Sequence, residues 1–441
     1  MSEIRVGLLG LGTIGTGVAR ILLEQQELMA RRLGKTVRLV AAADKDAGRD
    51  RGLDFSGVRL CDDAADVMNA DDVDLVVELI GGYEPARSFV MAALSHGKHV
   101  VTANKALIAK HGEELFPLAA ENGVAIGFEA AVGGGIPCLK ALREGLAANA
   151  IESVHGILNG TCNFILTKME NEGADYADVL KEAQNLGYAE ADPTFDVEGI
   201  DTAHKLAILA AMAFGSKIHF DHVFTEGISR ITAADIEAAA ELGYRIKLLG
   251  IAKPHGKNGT VEQVEMRVHP TLVPLNAQIA QVSDSYNAVM VSGDFVEHTM
   301  YFGRGAGERP TASAVVADIM DIARAAPEGI DRLAPPMGFV TDARKELPTL
   351  PIADVACEYY LRLMVKDEPG VIASVTSILA DHRISLEAVM QKERNASHAV
   401  PVIMLTHETS EGNLQAAISR IVALPSVGEE ILILRKETFG A

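Results

Sequence analysis

Between Tyr188 and Lys205 the chain reads YAEADPTFDVEGIDTAHK. Glu190, Asp192, Asp196, Glu198 and Asp201 crowd negative charge into this span, and His204 and Lys205 close it. A lysine set among these acids can give or take a proton if its surroundings tune its basicity. Asp201 and Lys205 lie four positions apart, so on a helix they share one face. As a surface ion pair they would be worth only about 0.3–0.5 kcal/mol, and the acids would be an ordinary solvated loop. The LAILAAMAFG that follows is apolar almost all round, which predicts a buried helix and a desolvated polar cluster, the setting in which ionisation is tuned.

A second chemistry-bearing pattern opens the chain. EIRVGLLGLGTIGTGVARILLE reads as a strand, a glycine turn and a helix, with Gly10, Gly12 and Gly15 spaced G-x-G-x-x-G. In a chain with 40 glycines that spacing alone is weak. Following an apolar strand and opening a helix, it predicts a dinucleotide cradle: one glycine for the turn, one for close approach of the pyrophosphate, one for helix packing. The anion then sits on the helix N-terminus. TVRLVAAADKD supplies the next strand, Val37 to Ala43, ending at Asp44. Asp44 would accept from a ribose 2′-hydroxyl and favour NAD; Lys45 would instead hold a 2′-phosphate, and the sequence leaves both open.

Further apolar runs end in small or polar residues: VDLVVELIGG at its glycines, GKHVVTANK at Thr102 to Lys105, and GVAIGFEAAVGGG at Glu129. In an open parallel sheet, ligands bind beyond the carboxyl ends of the strands. That placement favours a functional Lys105 over a merely solvated one. Alternating strands and helices predict a doubly wound α/β domain.

The chain has 441 residues, a formal net charge of -20 and 48% hydrophobic residues. Acidity of this degree argues against nucleic acid, and no apolar run is long enough to span a membrane. The first apolar stretch leads into the glycine turn, so it does not read as a cleaved leader. Cys61, Cys138, Cys162 and Cys357 form no C-x-x-C pair, which fits free thiols in a reducing cytoplasm.

Taken together, GLGTIGTGV, VVELIGG, GKHVVTANKALIA, FEAAVGGGIP, ILNGTCNFIL, AQNLGYAEADPTFDVEGIDTAHKLAILA and GAGERPTASAVVADI resemble the homoserine dehydrogenases in their single-function form, over the chain to about residue 325. Within GRGAGERP, Arg304 and Glu308 depart from the family's usual proline and smaller residue. The resemblance implies reduction of aspartate 4-semialdehyde to homoserine with NAD or NADP, on the way to threonine, methionine and isoleucine. It implies Lys205 as proton donor, Lys105 at the cofactor–substrate junction, and Glu190, Asp196 and Asp201 around the substrate. Thr13, Ile14, Thr102, Gly187 and Gly303 would line the cofactor. It also implies a structural monovalent cation, usually sodium, at Glu129 and the backbone of Val132, Gly134 and Ile136.

The end of the chain reads strand–helix–strand twice, a β-α-β-β-α-β ferredoxin-like unit. It resembles the ACT domain, in which Asp367 to Val371 would help line an effector site. The expected ligand is threonine; a plain dimerisation role is the alternative. The expected architecture is therefore α/β: a Rossmann-type domain over 1–130, an α+β catalytic and dimerisation domain over 131–325 whose last helix packs back on the cofactor domain, a flexible linker over 326–355, and an ACT domain over 356–441, assembled as a homodimer or homotetramer. On this view a chain ending near residue 345 keeps its activity and loses threonine inhibition. Two rivals share parts of the pattern: another ACT-bearing dehydrogenase such as phosphoglycerate dehydrogenase, whose glycine motif lies far into the chain, and a redox sensor without turnover, against which Lys105 and Lys205 argue.

Overall fold

The computed structural model describes residues 3–257, 259–326, 329–392 and 399–439. The chain forms two compact units, each discontinuous in sequence. The first comprises Met1–Leu158, His204–His222 and Tyr286–Leu347; the second comprises Asn159–Ala203, Val223–Ser285 and Pro348–Ala441.

The first unit is built on six parallel strands: β1 (Glu3–Leu9), β2 (Thr36–Ala43), β3 (Arg59–Cys61), β4 (Leu75–Glu78), β5 (His99–Thr102) and β6 (Ile126–Gly127). Their spatial order is β3-β2-β1-β4-β5-β6, so the winding reverses between β1 and β4. That crevice is where a doubly wound sheet binds its ligand. The central strands are apolar because helices cover both faces; Val6, Leu8, Val76 and Val101 are fully buried. The helix α1 (Thr13–Glu24) follows β1 and buries Val18 and Leu22. Ala312, Val315 and Ile319, on the helix Glu308–Ala325, join the same core. Strands Ile151–Ile157, Tyr286–Gly293 and Glu297–Arg304 pair antiparallel in this unit.

In the second unit the long strands Tyr244–Lys257 and Thr260–Pro274 form an antiparallel pair. The C-terminal segment folds as βαββαβ, with its four main strands in the order Val427–Lys436, Ala356–Lys366, Ala399–Thr406, Leu386–Met390. Strand Val427–Lys436 also pairs parallel with Thr260–Pro274, through Thr271 with Arg435 and Leu272 with Lys436.

The segment expected as a flexible linker is tied down. Lys345 N–H donates to Gly215 O at 2.9 Å and Arg344 pairs with Glu113 within the first unit. Leu350 N–H donates to Val264 O at 2.9 Å in the second. Its proline- and alanine-rich composition suggested mobility, but backbone hydrogen bonds to strand and helix ends fix it. Pro327 and Glu328 of that stretch lie outside the described residues.

Candidate functional site

The glycine turn has the geometry its spacing demands. Gly10 has φ +94°, and a Cβ there would lie 2.9 Å from Leu79 O. A Cβ on Gly15 would lie 1.9 Å from Gly10 O, so only glycine lets α1 start this close to β1. Gly12 is different: nothing lies within 4 Å of a Cβ built there, and no side chain caps the helix that it begins. Open space facing an uncapped helix N-terminus fits a pyrophosphate. Thr13 is exposed and Ile14 half-buried beside it.

Asp44 ends β2 as expected, but it is already engaged. Its Oδ2 accepts from Leu11 N–H at 2.6 Å and its Oδ1 from Asp46 N–H at 2.9 Å. Arg51 Nη2 stands 3.3 Å from the same carboxylate. Arg51 is held in turn by Leu11 O at 2.9 Å and Asp46 O at 2.8 Å. No sequence pattern pointed to Arg51, because the loop that returns it to the turn has no periodicity. Lys45 is exposed and makes no hydrogen bond or ion pair among the described residues.

At the end of β5 the side chain of Thr102 turns inward. It is fully buried, donates to Glu78 Oε2 at 2.6 Å and accepts from Asn104 N–H at 3.0 Å. The other oxygen of Glu78 accepts from Ile80 and Gly81 N–H at 2.8 and 3.0 Å. The hydroxyl is thus consumed in setting the two strand-end turns. Asn104 caps the helix Lys105–Glu121 by accepting from Leu107 N–H, and donates to Gly82 O at 2.6 Å. Lys105 is thereby fixed as the first residue of that helix.

Glu129 is 1% exposed. Its two oxygens accept from Leu139 N–H at 3.0 Å and Lys140 N–H at 2.9 Å. Burial, and then the charge of Asp318, push its carboxyl up to about 7. Asp318 Oδ2 accepts from Glu129 N–H at 2.8 Å, and burial raises its own carboxyl to about 6. Among the described residues Glu129 has no ion-pair partner, a setting that fits a cation beside it. The turn from Val132 to Ile136 passes through Gly133 and Gly134, at φ +71° and +54°. A Cβ on Gly134 would strike Gly305 O at 2.4 Å. Gly303 lies nearby on strand Glu297–Arg304, 3.3 Å from Ile136 Cγ1 if given a Cβ. The atypical Arg304 places its guanidinium 4.7 Å over the Tyr286 ring, and Glu308 Oε1 stands 3.7 Å from Arg20.

In the second unit, Asn159 caps the helix Gly160–Glu172 by accepting from Cys162 N–H at 2.8 Å. Its Nδ2 donates to both Asp196 Oδ1 at 2.8 Å and Asp201 Oδ2 at 3.0 Å. One amide thus binds two of the expected substrate acids together. The sequence marked Asn159 only as a junction between strand and helix. Asp201 is 4% exposed, whereas Glu190 is exposed and its side chain makes no hydrogen bond or ion pair among the described residues. Gly187, exposed at φ +75°, closes the preceding helix.

Asp201 and Lys205 lie on one helix, Ile200–Phe214, whose buried run from Asp201 to Phe214 matches its sequence. Lys205 is 8% exposed and donates to Leu158 O at 2.6 Å. His204 stacks on Phe220 at 3.8 Å, with Nε2 3.3 Å from Tyr83 Oη.

In the C-terminal segment Gly370 has φ +94°, begins the helix Val371–Asp381, and has nothing within 4 Å of a Cβ.

Comparison with known proteins fits this geometry. Residues 10–129 match the family model described as the homoserine dehydrogenase NAD binding domain, 137–320 that of homoserine dehydrogenase, and 359–426 that of the ACT domain. A homoserine dehydrogenase of Pseudomonas aeruginosa is 48% identical over 99% of both chains. The crystal structure of a homoserine dehydrogenase from Thiobacillus denitrificans is 51% identical, covers 100% of this chain and 99% of its own, and superposes with a TM-score of 0.93. A hyperthermophilic archaeal homoserine dehydrogenase, solved in complex with NADPH, is 26% identical over 73% of this chain and 98% of its own, with a TM-score of 0.61. With relatives this similar along its whole length, and with a nicotinamide-dinucleotide cradle in place, the chain belongs to the homoserine dehydrogenase family.

Proposed function

We propose that the chain reduces L-aspartate 4-semialdehyde to L-homoserine, reversibly, within threonine, methionine and isoleucine biosynthesis. The observation that carries this reading is a buried lysine, Lys205, one helical turn after buried Asp201. A bound NADH or NADPH supplies the hydride for the aldehyde carbon. Lys205 gives the developing alkoxide its proton, and Lys105 keeps the junction between cofactor and substrate electropositive. Glu190 and Asp201 hold the substrate ammonium, with Asp196 aligned through Asn159. Gly10, Gly12, Thr13, Ile14 and Gly15 cradle the pyrophosphate, and backbone at Thr102, Gly187 and Gly303 lines the rest. Four free cysteines accord with a reducing cytoplasm. Threonine is the proposed effector, its carboxylate approaching the open backbone at Gly370, and the working form is a homo-oligomer. Following reduced nicotinamide absorbance while homoserine is oxidised, with and without threonine, tests this reading; no turnover with either cofactor would sink it.

Glu190 meets the substrate in both ground and transition states, so Glu190→Gln should raise KM for homoserine and leave kcat nearly unchanged. An unaltered KM would remove Glu190 from the site.

For the cofactor, Asp44→Ser removes a charge that repels a 2′-phosphate and leaves Arg51 without its acidic partner. The ratio of kcat/KM should move toward NADP by about tenfold, the value of one charge-assisted hydrogen bond. If the ratio stays fixed, neither residue reads the ribose.

A monovalent cation, sodium by family resemblance, is proposed beside Glu129, with carbonyls of Val132, Gly134 and Ile136. Sodium chloride should then raise Tm above the value in tetramethylammonium chloride at equal ionic strength, and Glu129→Gln should erase the difference. The carboxyl also gives a pH trend. Its folded pKa of about 7 lies above the ordinary 4.5. Without sodium, its contribution therefore falls as pH rises from 4.5 to about 7, and is constant above that. Equal Tm in both salts would leave the site without a cation.

A further inference from the structure

The first unit contains a cavity of about 800 Å³ that none of the roles above uses. It lies between the end of the helix Lys105–Glu121, strand β6, the second half of the helix Glu308–Ala325 and the stretch from Ile330 to Thr341. Its volume falls within the usual range for small-molecule sites. Much of the wall is hydrocarbon: Phe116, Ile126 and Ile322 are 5%, 4% and 3% exposed, and Leu333 and Pro335 also line it.

The charges on this wall are not evenly matched. Arg143 pairs with Glu144 at 3.1 Å, and Asp321 pairs with both Lys140 and Arg324. Asp318 is 3% exposed and also lines the cavity. One of its oxygens, Oδ2, accepts from Glu129 N–H; among the described residues Asp318 makes no other hydrogen bond and no ion pair. The other oxygen, Oδ1, is left at the wall of the cavity as an acceptor, where a donor entering the cavity can meet it. A bare metal ion would need several oxygen ligands, and among the described residues no group of three or more metal-binding side chains forms. A donor carried on hydrocarbon satisfies both the carboxylate and the wall.

We propose that this cavity binds a primary ammonium compound with a branched aliphatic body, its nitrogen donating to Asp318 Oδ1 and its hydrocarbon lying against Phe116, Ile126 and Ile322. Such a group could come from a simple amine or from an amino acid. In the second case the extra carboxylate meets a guanidinium of the rim, such as Arg143.

Isothermal titration of the full chain with 3-methylbutylamine and, separately, with leucine tests the proposal without reference to turnover. At least one should bind. Binding of the amine alone identifies a plain amine site, and binding of leucine, alone or as well, identifies an amino-acid site. Asp318→Asn keeps an acceptor for Glu129 N–H but loses the charge; it should weaken binding by about tenfold or more. Ala120→Phe, at an exposed position on the cavity's rim, should abolish binding while circular dichroism stays unchanged, so a poorly folding Asn variant does not decide the matter. No heat from either compound with the unaltered chain would mean that water alone meets Asp318, and the proposal falls. It falls equally if Ala120→Phe binds as the unaltered chain does.

Discussion

Replacing Lys205 by alanine should lower turnover of homoserine by roughly 10²–10⁴-fold, the usual contribution of a positioned proton donor. Cofactor affinity should barely change, since Lys205 is not among the residues proposed to hold the dinucleotide. The size of the effect follows from burial. Lys205 sits at 8% exposure with its ammonium 2.6 Å from Leu158 O, so bulk water is a poor substitute for the missing proton. The lost interaction belongs to the transition state, so kcat and kcat/KM should fall together. If turnover stays near normal while Lys105→Ala abolishes it, the two lysines have exchanged roles.

The largest expected effect on stability is at Arg267. This arginine is 1% exposed and bridges Glu265 at 2.6 Å and Glu437 at 2.7 Å. Its third contact is His269 Nε2 at 2.8 Å. Burial, with Arg435 and Arg267 close by, holds His269 well below its ordinary pKa, so the ring stays neutral and accepts. Arg435, also 1% exposed, joins Glu411 at 2.8 Å and Glu226 at 2.6 Å. Arg267→Met should cost about 3–5 kcal/mol, because it takes the shared buried partner from two carboxylates and leaves Glu265 only His255, and Glu437 chiefly Lys253, to offset their burial. Urea denaturation reads this directly, and a midpoint within error of the unaltered chain would show that the network adds nothing. The same network revises the truncation expectation. Cutting near residue 345 removes Glu437 and Arg435 together with the strand paired to Thr271 and Leu272. The shortened chain should be unstable rather than active and deregulated, so threonine inhibition is better tested on the intact protein.

Much of this was legible where the chemistry follows local spacing. Gly10, Gly12 and Gly15 announced their turn because each answers a steric demand within a few residues. Asp201 and Lys205 announced a shared face because helical geometry fixes it, and the unbroken apolar run after them announced burial. Arg51 was silent: its meeting with Asp44 depends on the path of an irregular loop. The bond from the Thr102 hydroxyl to Glu78 was silent too, because strand-end position does not reveal which way a hydroxyl turns. The segment after Ala325 was judged by composition, which says nothing about carbonyls waiting at Gly215 and Val264. Asp318 stood in a recognisable helix, yet only the fold shows it between Glu129 and a cavity.

Both compact units are assembled from separated stretches of chain, and this bears on how the protein is made. On the ribosome the strand Thr260–Pro274 emerges well before Val427–Lys436, the strand that pairs with it in parallel. Until that partner is synthesised, an apolar edge and Arg267, destined for the interior, stand open to water. Distant pairings of this kind close slowly and leave intermediates prone to association. Nascent chains should therefore depend on chaperones until the C-terminal strand arrives, and substitutions that leave the finished enzyme intact can still lower its yield in the cell.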